Sequence, residues 1–404
     1  MAAGRGLRSC CWPRHVLVLA VVLTALTGGA TRSAQAQPRN VPPEVARLYQ
    51  DYPVVELVTM GVGALIWERH GHIALCVRQA NPSGSVCYNY GIGNFADPVG
   101  MGWGFFRGTN SFWAGEQTPR QMFSIYEGAD RTIWVQPLPL SPEEKQRVLA
   151  RLDHDVQEAN KYYAYDHFWD NCTTRVRDVL DEATGGKLRA LTAPADGLTY
   201  RDLARKGFYG MRLPLLITDL AMGRATDRVP TYYERMFLPD YMREAATRLW
   251  GIEPIVVYQR RGPPPQDDGP SGRVLLALVV LLLTAPAWIS RWLGRFGRTG
   301  LWVALVPQLV LGLAFWVLAL ISPLPYVRWN ETCLLLLPLD VMLAVGPPRW
   351  RLLYARGRVG MIGLVALLLL VDVLHQPLWP IVAWPLIPAA VVGFWPARWT
   401  RARA

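Results

Sequence analysis

From about residue 272 to its end, the sequence alternates apolar segments with short connections, and this pattern constrains the fold more than any other feature. A membrane-spanning helix needs roughly 20 predominantly apolar residues. Five segments predict such helices, although several are short: Arg273–Ile289, Leu301–Ile321, Thr332–Val345, Gly360–Leu374 and Leu378–Trp395. Only 18% of the residues are charged, against about 25% in average soluble domains. The chain is therefore predicted to be an integral membrane protein.

Three arginine clusters orient these segments in the membrane. They follow the first, third and fifth segments, and their members are Arg291, Arg295 and Arg298; Arg349, Arg351, Arg356 and Arg358; and Arg398, Arg401 and Arg403. The other two connections carry one arginine or none. Because cytoplasmic loops are enriched in Lys and Arg, we expect the clusters in the cytoplasm and the residues before the first segment outside. The net charge of +11 thus reflects membrane topology, and no nucleic-acid partner is expected.

The N-terminus predicts an export signal over residues 1–36. Three arginines precede the apolar run Val16–Leu26, whose 11 residues are too few to span a bilayer comfortably. Ala34-Gln35-Ala36 then offers a small-x-small cleavage site, and an uncleaved anchor is the alternative. The predicted organisation is a periplasmic domain at 37–262, a Pro/Gly-rich linker at 263–272 and a transmembrane domain at 273–404, in the bacterial cytoplasmic (inner) membrane.

The periplasmic segment mixes strand and helix patterns. Val54–Gly61, Gly71–Val77 and Ser85–Tyr90 have the apolar content of strands, and the last two flank a turn cluster at 81–84. A serine cap followed by proline opens a helix at Ser141, and a second helix is predicted over Cys172–Ala183. The fold class expected is α+β, followed by an all-α bundle of about five membrane helices.

Cys172 is the candidate nucleophile. Asp170-Asn171 can cap the helix that Cys172 opens, which places the thiol among unpaired N–H groups at the positive end of the helix dipole. Both features favour the thiolate and predict a lowered pKa and raised reactivity. The same N–H groups suit the oxyanion of a tetrahedral intermediate. The alternative is an unreactive buried cysteine, since free cysteine is among the most buried residue types.

A thiol nucleophile needs a base, and His72 at the start of a strand is the preferred candidate. His70, two residues earlier, would point to the same face of the strand and is the alternative. His154 is expected on a solvated helix, and His167 lies too close in sequence to Cys172. A histidine at a strand start facing a helix-borne cysteine is the arrangement of papain-like thiol enzymes.

Asn89 is the candidate for the third catalytic residue. If Cys76 and Cys87 pair across the hairpin, the register places Asn89 diagonally near His72 on one face of the sheet. Asn89 would then hold the imidazole in the required tautomer. Two free half-buried thiols are the alternative to the disulfide.

Three short stretches carry a resemblance to a known family. Gly71-His72-Ile73-Ala74-Leu75, Tyr88-Asn89-Tyr90-Gly91 and Asp170-Asn171-Cys172-Thr173-Thr174-Arg175 resemble the outer domain of the Lnb-type bacterial lipoprotein N-acyltransferases. The Asn-Cys pair with an upstream histidine is also similar to the permuted papain-like group that includes lecithin:retinol acyltransferase. The resemblance implies a permuted papain-like periplasmic domain. It also implies an enzyme that moves an acyl chain through a Cys172 thioester, from a membrane phospholipid to the α-amino group of the lipidated N-terminal cysteine of lipoproteins.

The residues around the catalytic candidates are expected to bind substrate, namely Asn171, Thr173, Tyr88, Tyr165 and Trp169. Aromatic residues near Cys172 line an acyl channel in this interpretation, or are ordinary core. The pairs at 105–106 and 112–113 dip into the membrane interface, or belong to a packed loop. No cofactor is expected, and no metal, because His70-x-His72 lacks a third ligand.

Two other functions compete with acyl transfer. A thiol hydrolase acting on lipid or cell-wall peptide would use the same nucleophile and base with water as the acceptor. A non-enzymatic, membrane-anchored assembly factor would retain the fold without the chemistry. Three ionisable residues within the apolar segments are candidates for head-group contacts or for pairing between helices: Asp340, Asp372 and His375.

Overall fold

The computed structural model describes residues 42–192 and 196–395. The predicted signal at 1–36 and the last arginine cluster (Arg398, Arg401 and Arg403) lie outside the described residues.

A seven-stranded antiparallel sheet forms the centre of the first part of the chain. Its strand order is β6-β4-β3-β2-β1-β5-β7. The strands are β1 (Val54–Met60), β2 (His72–Arg78), β3 (Val86–Ile92), β4 (Ser111–Gln117), β5 (Ile133–Pro137), β6 (Tyr162–Ala164) and β7 (Ile255–Tyr258). The α-helices up to residue 250 are α1 (Pro43–Leu48), α2 (Pro98–Phe106), α3 (Pro119–Gly128), α4 (Pro142–Asp155), α5 (Cys172–Ala183), α6 (Tyr200–Phe208), α7 (Arg212–Ala221), α8 (Tyr232–Arg235) and α9 (Pro239–Trp250). The predicted α+β class is confirmed.

Helices cover both faces of the sheet, which is why every residue of β1 is buried. Val55 and Leu57 face one layer and pack with Val148 of α4 and Val176 of α5. The alternate residues of β1 face α3 in a second apolar cluster. Side chains of a strand point to opposite faces in turn, so a strand covered on both sides is apolar at nearly every position.

The hairpin of β2 and β3 has the register that the sequence predicted. Cys76 lies opposite Cys87 and is joined to it by a disulfide, so the alternative of two free thiols is wrong. Asn89 lies opposite Ala74, diagonal to His72 at the first position of β2. The turn of 81–84 that connects the strands is closed by Asn81, whose side chain accepts from the Ser83 N–H at 3.1 Å.

Within the described residues, the helical part contains three helices long and apolar enough to span a membrane, where the sequence predicted about five. Its α-helices are α10 (Arg273–Trp292), α11 (Gly297–Ile321), α12 (Pro325–Arg328), α13 (Thr332–Leu335), α14 (Met342–Val345), α15 (Pro348–Leu370) and α16 (Ala383–Phe394). The long ones are α10, α11 and α15. The fifth predicted segment contains a shorter apolar helix, Trp379–Phe394, whose last part is α16.

The third predicted segment, Thr332–Val345, is broken into short helices, and Pro338 begins a 3-10 turn in its middle. Proline lacks the N–H that a continuing helix needs. Asp340 in that turn is fully buried and accepts hydrogen bonds from Arg358 (2.8 Å) and Tyr354 (2.7 Å) of α15. A further bond comes from Gln308 of α11 (2.5 Å). Polar contacts with neighbouring helices therefore replace a regular span, and this is the interhelical pairing that the sequence left open for Asp340.

The second arginine cluster also differs from its prediction. Arg349, Arg351, Arg356 and Arg358 lie inside α15 rather than in a connection, because the helix begins at Pro348 instead of near Gly360. Arg358 is buried and pairs with Asp340. His375 Nδ1 lies 3.4 Å from Asp372, and both side chains are exposed.

Buried polar contacts join the sheet domain to the helical part. Asp219 of α7 pairs with Arg205 of α6 at 2.6 Å and with Arg273 of α10 at 2.8 Å. Asn330, after α12, donates to the carbonyl of Leu220 at 2.8 Å. The two parts are thus packed together by side chains in addition to being connected through residues 263–272.

Candidate active site

Cys172 is the first residue of α5, and Asn171 is the N-cap. The Asn171 side-chain oxygen accepts from the N–H groups of Thr173 (2.8 Å) and Thr174 (2.9 Å). Its amide nitrogen donates to the carbonyls of His167 (2.6 Å) and Phe237 (3.0 Å). The predicted cap is confirmed. Since these bonds occupy both ends of its side-chain amide, Asn171 positions the cysteine rather than facing open space.

The Cys172 thiol is nine-tenths buried and lies between α5 and β2. The backbone N–H groups of Ile73 and Thr173 approach the sulfur, and the Thr173 hydroxyl lies 3.8 Å from it. Burial raises the pKa of the Cys172 thiol, although these donors and the charge of Arg131 oppose the shift. The sequence predicted a lowered pKa. Desolvation disfavours the thiolate more than the helix terminus favours it, so the resting thiol is neutral.

His72 begins β2, directly before Ile73, whose N–H approaches the thiol. Its Nε2 lies 3.3 Å from Oδ1 of Asn89, and its ring stacks on Tyr126 at 5.8 Å between centroids. An amide oxygen only accepts, so this contact places the ring proton on Nε2 and leaves Nδ1 as the basic nitrogen. Burial and the nearby Arg131 lower the pKa of His72 to about 4, and the Asn89 contact opposes them. The structure therefore brings His72 and Asn89 together, with a neutral imidazole, and His72 directly precedes Ile73, whose N–H approaches the Cys172 thiol.

The other histidines occupy different places. His70 lies 2.8 Å through Nε2 from the Ala204 carbonyl, and its ring meets that of His167 edge-on at 4.6 Å. Gly71 between His70 and His72 has φ +80°, a left-handed conformation that interrupts the strand before β2. His154 lies on α4 with 60% of its side chain exposed. Of these histidines, His72 is thus the one directly next in the chain to Ile73, whose N–H approaches the thiol.

The predicted substrate-binding residues are divided between the site and its surroundings. Tyr165 and Cys172 flank Gly91 of β3: a side chain added there would meet the Cys172 Cβ at 3.4 Å and the Tyr165 ring at 4.0 Å. The Thr173 hydroxyl lies by the thiol, as given above. The Tyr88 hydroxyl instead donates to Asp153 at 2.8 Å, and Trp169 packs on Tyr326 of the helical part, 5.5 Å between centroids. Tyr165 and Thr173 are therefore the predicted contacts placed next to the sulfur.

Arg131 and Tyr126 are two site residues that the sequence did not reveal. Arg131 is buried, donates through Nε to the Gly61 carbonyl at 2.7 Å, and lies over the Tyr126 ring at 4.8 Å. Its Nη2 has no hydrogen-bond partner within the described residues. The charge of Arg131 acts on both Cys172 and His72. A single arginine between a helix and a strand belongs to no recognisable sequence motif, so nothing in the sequence connects Arg131 with the thiol.

Replacing Arg131 by methionine is expected to make the thiol less reactive, because Arg131 lowers the pKa of Cys172. Each unit by which the thiol pKa rises lowers the thiolate fraction at a fixed lower pH about tenfold. The rate of Cys172 alkylation, measured from pH 6 to 10 in a Cys333→Ser background, checks this. Arg131→Lys keeps the charge and is expected to stay near the parent profile. Identical profiles for both variants would contradict an electrostatic role.

Among the described residues, no group of three or more His, Cys, Asp or Glu side chains is placed to hold a metal ion.

Residues 46–206 match a protein-family model described as the Lnb N-terminal periplasmic domain. The matched segment contains His72, Asn89 and Cys172. No curated protein and no solved structure matches the chain significantly. The segment 46–206 is thus similar to that periplasmic domain, and together with the apolar helices the match supports a membrane protein with a periplasmic domain.

Proposed function

We propose that the protein is a lipoprotein N-acyltransferase of the inner membrane, with its catalytic domain on the periplasmic side. It takes an acyl chain from a membrane phospholipid and transfers it to the α-amino group of the lipidated N-terminal cysteine of a lipoprotein. The observation that carries this proposal is the thiol of Cys172 on the first turn of α5, approached by the N–H of Ile73 next to His72, with His72 paired to Asn89, all within the segment that matches the Lnb domain.

In the first half-reaction, the Cys172 sulfur attacks the ester carbonyl of the phospholipid while Nδ1 of His72 accepts the thiol proton. The charge that develops on the carbonyl oxygen is stabilised by the backbone N–H of Cys172 at the start of α5, since the N–H groups of Thr173 and Thr174 donate to Asn171. The ester C–O bond then breaks, and the imidazolium returns its proton to the leaving alkoxide. The products are a lysophospholipid and an acyl thioester on Cys172.

In the second half-reaction, the neutral amine of the lipoprotein attacks the thioester carbonyl. His72 takes one proton from the attacking nitrogen, the C–S bond breaks, and the thiolate of Cys172 recovers that proton. An amide is formed and the resting enzyme is restored. Asn89 holds the imidazole through Nε2 in both steps, so that Nδ1 exchanges each proton.

The position of the site supports lipid substrates. Phe105 and Phe106, at the end of α2, pack in one cluster with Leu318 of α11 and Leu324 after it. Phe105 also lies 6.5 Å from Tyr165, which lines the site. Apolar side chains therefore connect the surroundings of the thiol with the membrane helices, where both the donor and the acceptor reside.

The test is expression in a bacterium depleted of its own lipoprotein N-acyltransferase, with the N-terminal peptide of an abundant lipoprotein read by mass spectrometry. The wild-type protein is expected to add a third acyl chain, and Cys172→Ala at matched abundance is expected to leave the lipoprotein diacylated. Cys333→Ala, which removes the other free cysteine of the described residues, is the matched control and is expected to behave as wild type. Diacylated lipoprotein with folded, membrane-inserted wild-type protein would refute the proposal.

A further inference from the structure

Two segments near the site expose apolar side chains. Helix α2 has no charged residue, and Val99 and Trp103 on it are 83% and 49% exposed. The turn at 65–67 exposes a further set, in which Trp67 stacks on Phe95 at 5.6 Å. Together these residues form the apolar rim: Leu65, Ile66, Trp67, Phe95, Val99 and Trp103. The two segments are linked by ring contacts that run from Phe95 through Phe112 and Tyr165 to Phe105 of α2. Exposed apolar side chains grouped in this way mark an interaction site.

The C-terminal end of α2 lies next to the membrane helices. The segment after α2 touches the outer end of α11, since a side chain on Gly108 would meet Pro323 at 2.7 Å. Phe105 and Phe106 pack with Leu318, one turn inside α11. The other end of α11 follows Arg291 and Arg295, which the positive-inside rule assigns to the cytoplasm. Helix α2, which carries Val99 and Trp103 of the rim, thus ends beside the outer end of α11.

Helix α7 supports the same boundary. Leu216 and Leu220 pack in the apolar cluster of the membrane helices, while Leu213 and Ile217 are exposed. A helix with one face packed against membrane helices and apolar side chains exposed beside it is typical of the bilayer interface. Tryptophan, which the rim contains twice, is enriched at this depth.

A row of aromatic rings leads from the rim to the thiol. Phe95 in the rim lies 6.2 Å from Phe112, and Phe112 lies 4.6 Å from Tyr165. Tyr165 flanks Gly91 together with Cys172. Each neighbouring pair is within the range of direct ring contact, and none of these side chains is charged. An extended hydrocarbon chain lying along this row would therefore meet apolar contacts from the rim to the sulfur.

We infer that the apolar rim inserts into the outer leaflet and that one acyl chain of a diacyl glycerophospholipid passes along Phe95, Phe112 and Tyr165 to Cys172. The inference rests on the proposed function for the fate of that chain. It adds the route of the donor, whose ester reaches the thiol while the lipid stays at the membrane surface.

Insertion of the rim is tested without reference to activity. Cys10, Cys11, Cys172 and Cys333 are replaced by serine in the full chain, and Val99→Cys is labelled with the fluorophore NBD. The protein is placed in phosphatidylglycerol/phosphatidylcholine nanodiscs that carry a spin label on the upper acyl chain. Ile125→Cys is the matched control, since Ile125 is 54% exposed on α3, whose cluster contains no residue of the helical part. Quenching at 99 and none at 125 is expected; equal quenching at the two positions would overturn the inference.

The acyl route is tested by the rate at which Cys172 becomes acylated. The double variant Val99→Asp/Trp103→Asp is expected to lower acylation from phospholipid nanodiscs about tenfold, because carboxylates oppose insertion. Acylation by a water-soluble short-chain p-nitrophenyl ester is expected to be unchanged, which shows that the site has folded. A tenfold loss of acylation with both donors would overturn the proposed route, and so would unchanged acylation with both.

The two proposals fail in different ways. Phospholipid-dependent acylation of Cys172 without NBD quenching at position 99 would remove the rim inference and leave the acyltransferase. Quenching at 99 with no acyl group ever found on Cys172 would establish the membrane contact and refute both the proposed transfer and the acyl route.

Discussion

Cys172→Ala is expected to abolish the acyl-enzyme and to lower acyl transfer by about 10⁵-fold or more, the loss typical of removing a covalent nucleophile. Among the described residues the other free thiol is Cys333, which lies in the helical part rather than in the sheet domain. The variant should remain folded. The cap of α5 is made by Asn171 with the backbone of Thr173 and Thr174, and the cysteine side chain takes no part in it.

The measurement is the trapping of labelled acyl chain on purified protein at low pH, where thioesters survive, followed by treatment with neutral hydroxylamine. The wild type is expected to carry a label that hydroxylamine releases, on the peptide containing Cys172. Cys172→Ser is the sharper comparison, since any oxygen ester it forms resists mild hydroxylamine. A hydroxylamine-sensitive label on Cys172→Ala at the wild-type level would show that another residue is the nucleophile.

The parts of the site that were predictable are those fixed by local geometry. The period of two in β2 and β3 and the short turn at 81–84 set the register, so pairing of Cys76 with Cys87 also places Asn89 diagonal to His72. The cap of α5 is likewise encoded within four residues, Asn171 to Thr174. Alternation and capping act between near neighbours in the chain, and a single sequence contains them.

What the sequence could not give depends on distant contacts. Burial against β2 raises the pKa of Cys172, and the opposing effects include the distant backbone of Ile73 and, more weakly, the charge of Arg131, 41 positions earlier in the chain. Hydropathy predicted a span over Thr332–Val345, but Asp340 in it is satisfied by Arg358 and Gln308 from two other helices. Such pairs show their effect only after the elements have packed.

His72→Gln is expected to lower the acylation rate of Cys172 by about 10³-fold, the contribution of a positioned general base. Glutamine keeps a polar side chain next to Asn89 but has no basic nitrogen to accept the thiol proton. His154→Gln, at an exposed position on α4, is the matched control and is expected to act as wild type.

The pH profile distinguishes a base from a residue that only shapes the site. Because burial and Arg131 lower the pKa of His72 to about 4, the wild-type rate of Cys172 acylation should rise as pH increases through about 4 and then stay level through neutral pH. His72 must be unprotonated to accept the proton, so activity is lost below this pKa and present above it.

In His72→Gln the rise of the rate near pH 4 disappears. The residual rate should then follow the thiolate, increasing about tenfold per pH unit up to the raised pKa of Cys172. A rise of the wild-type rate near pH 6.5 would instead mean that the imidazole is hydrated in the working enzyme. A rise of the rate near pH 4 that survives in His72→Gln would show that a different group accepts the proton. The neutral thiol–imidazole pair would then no longer explain how the sulfur is activated.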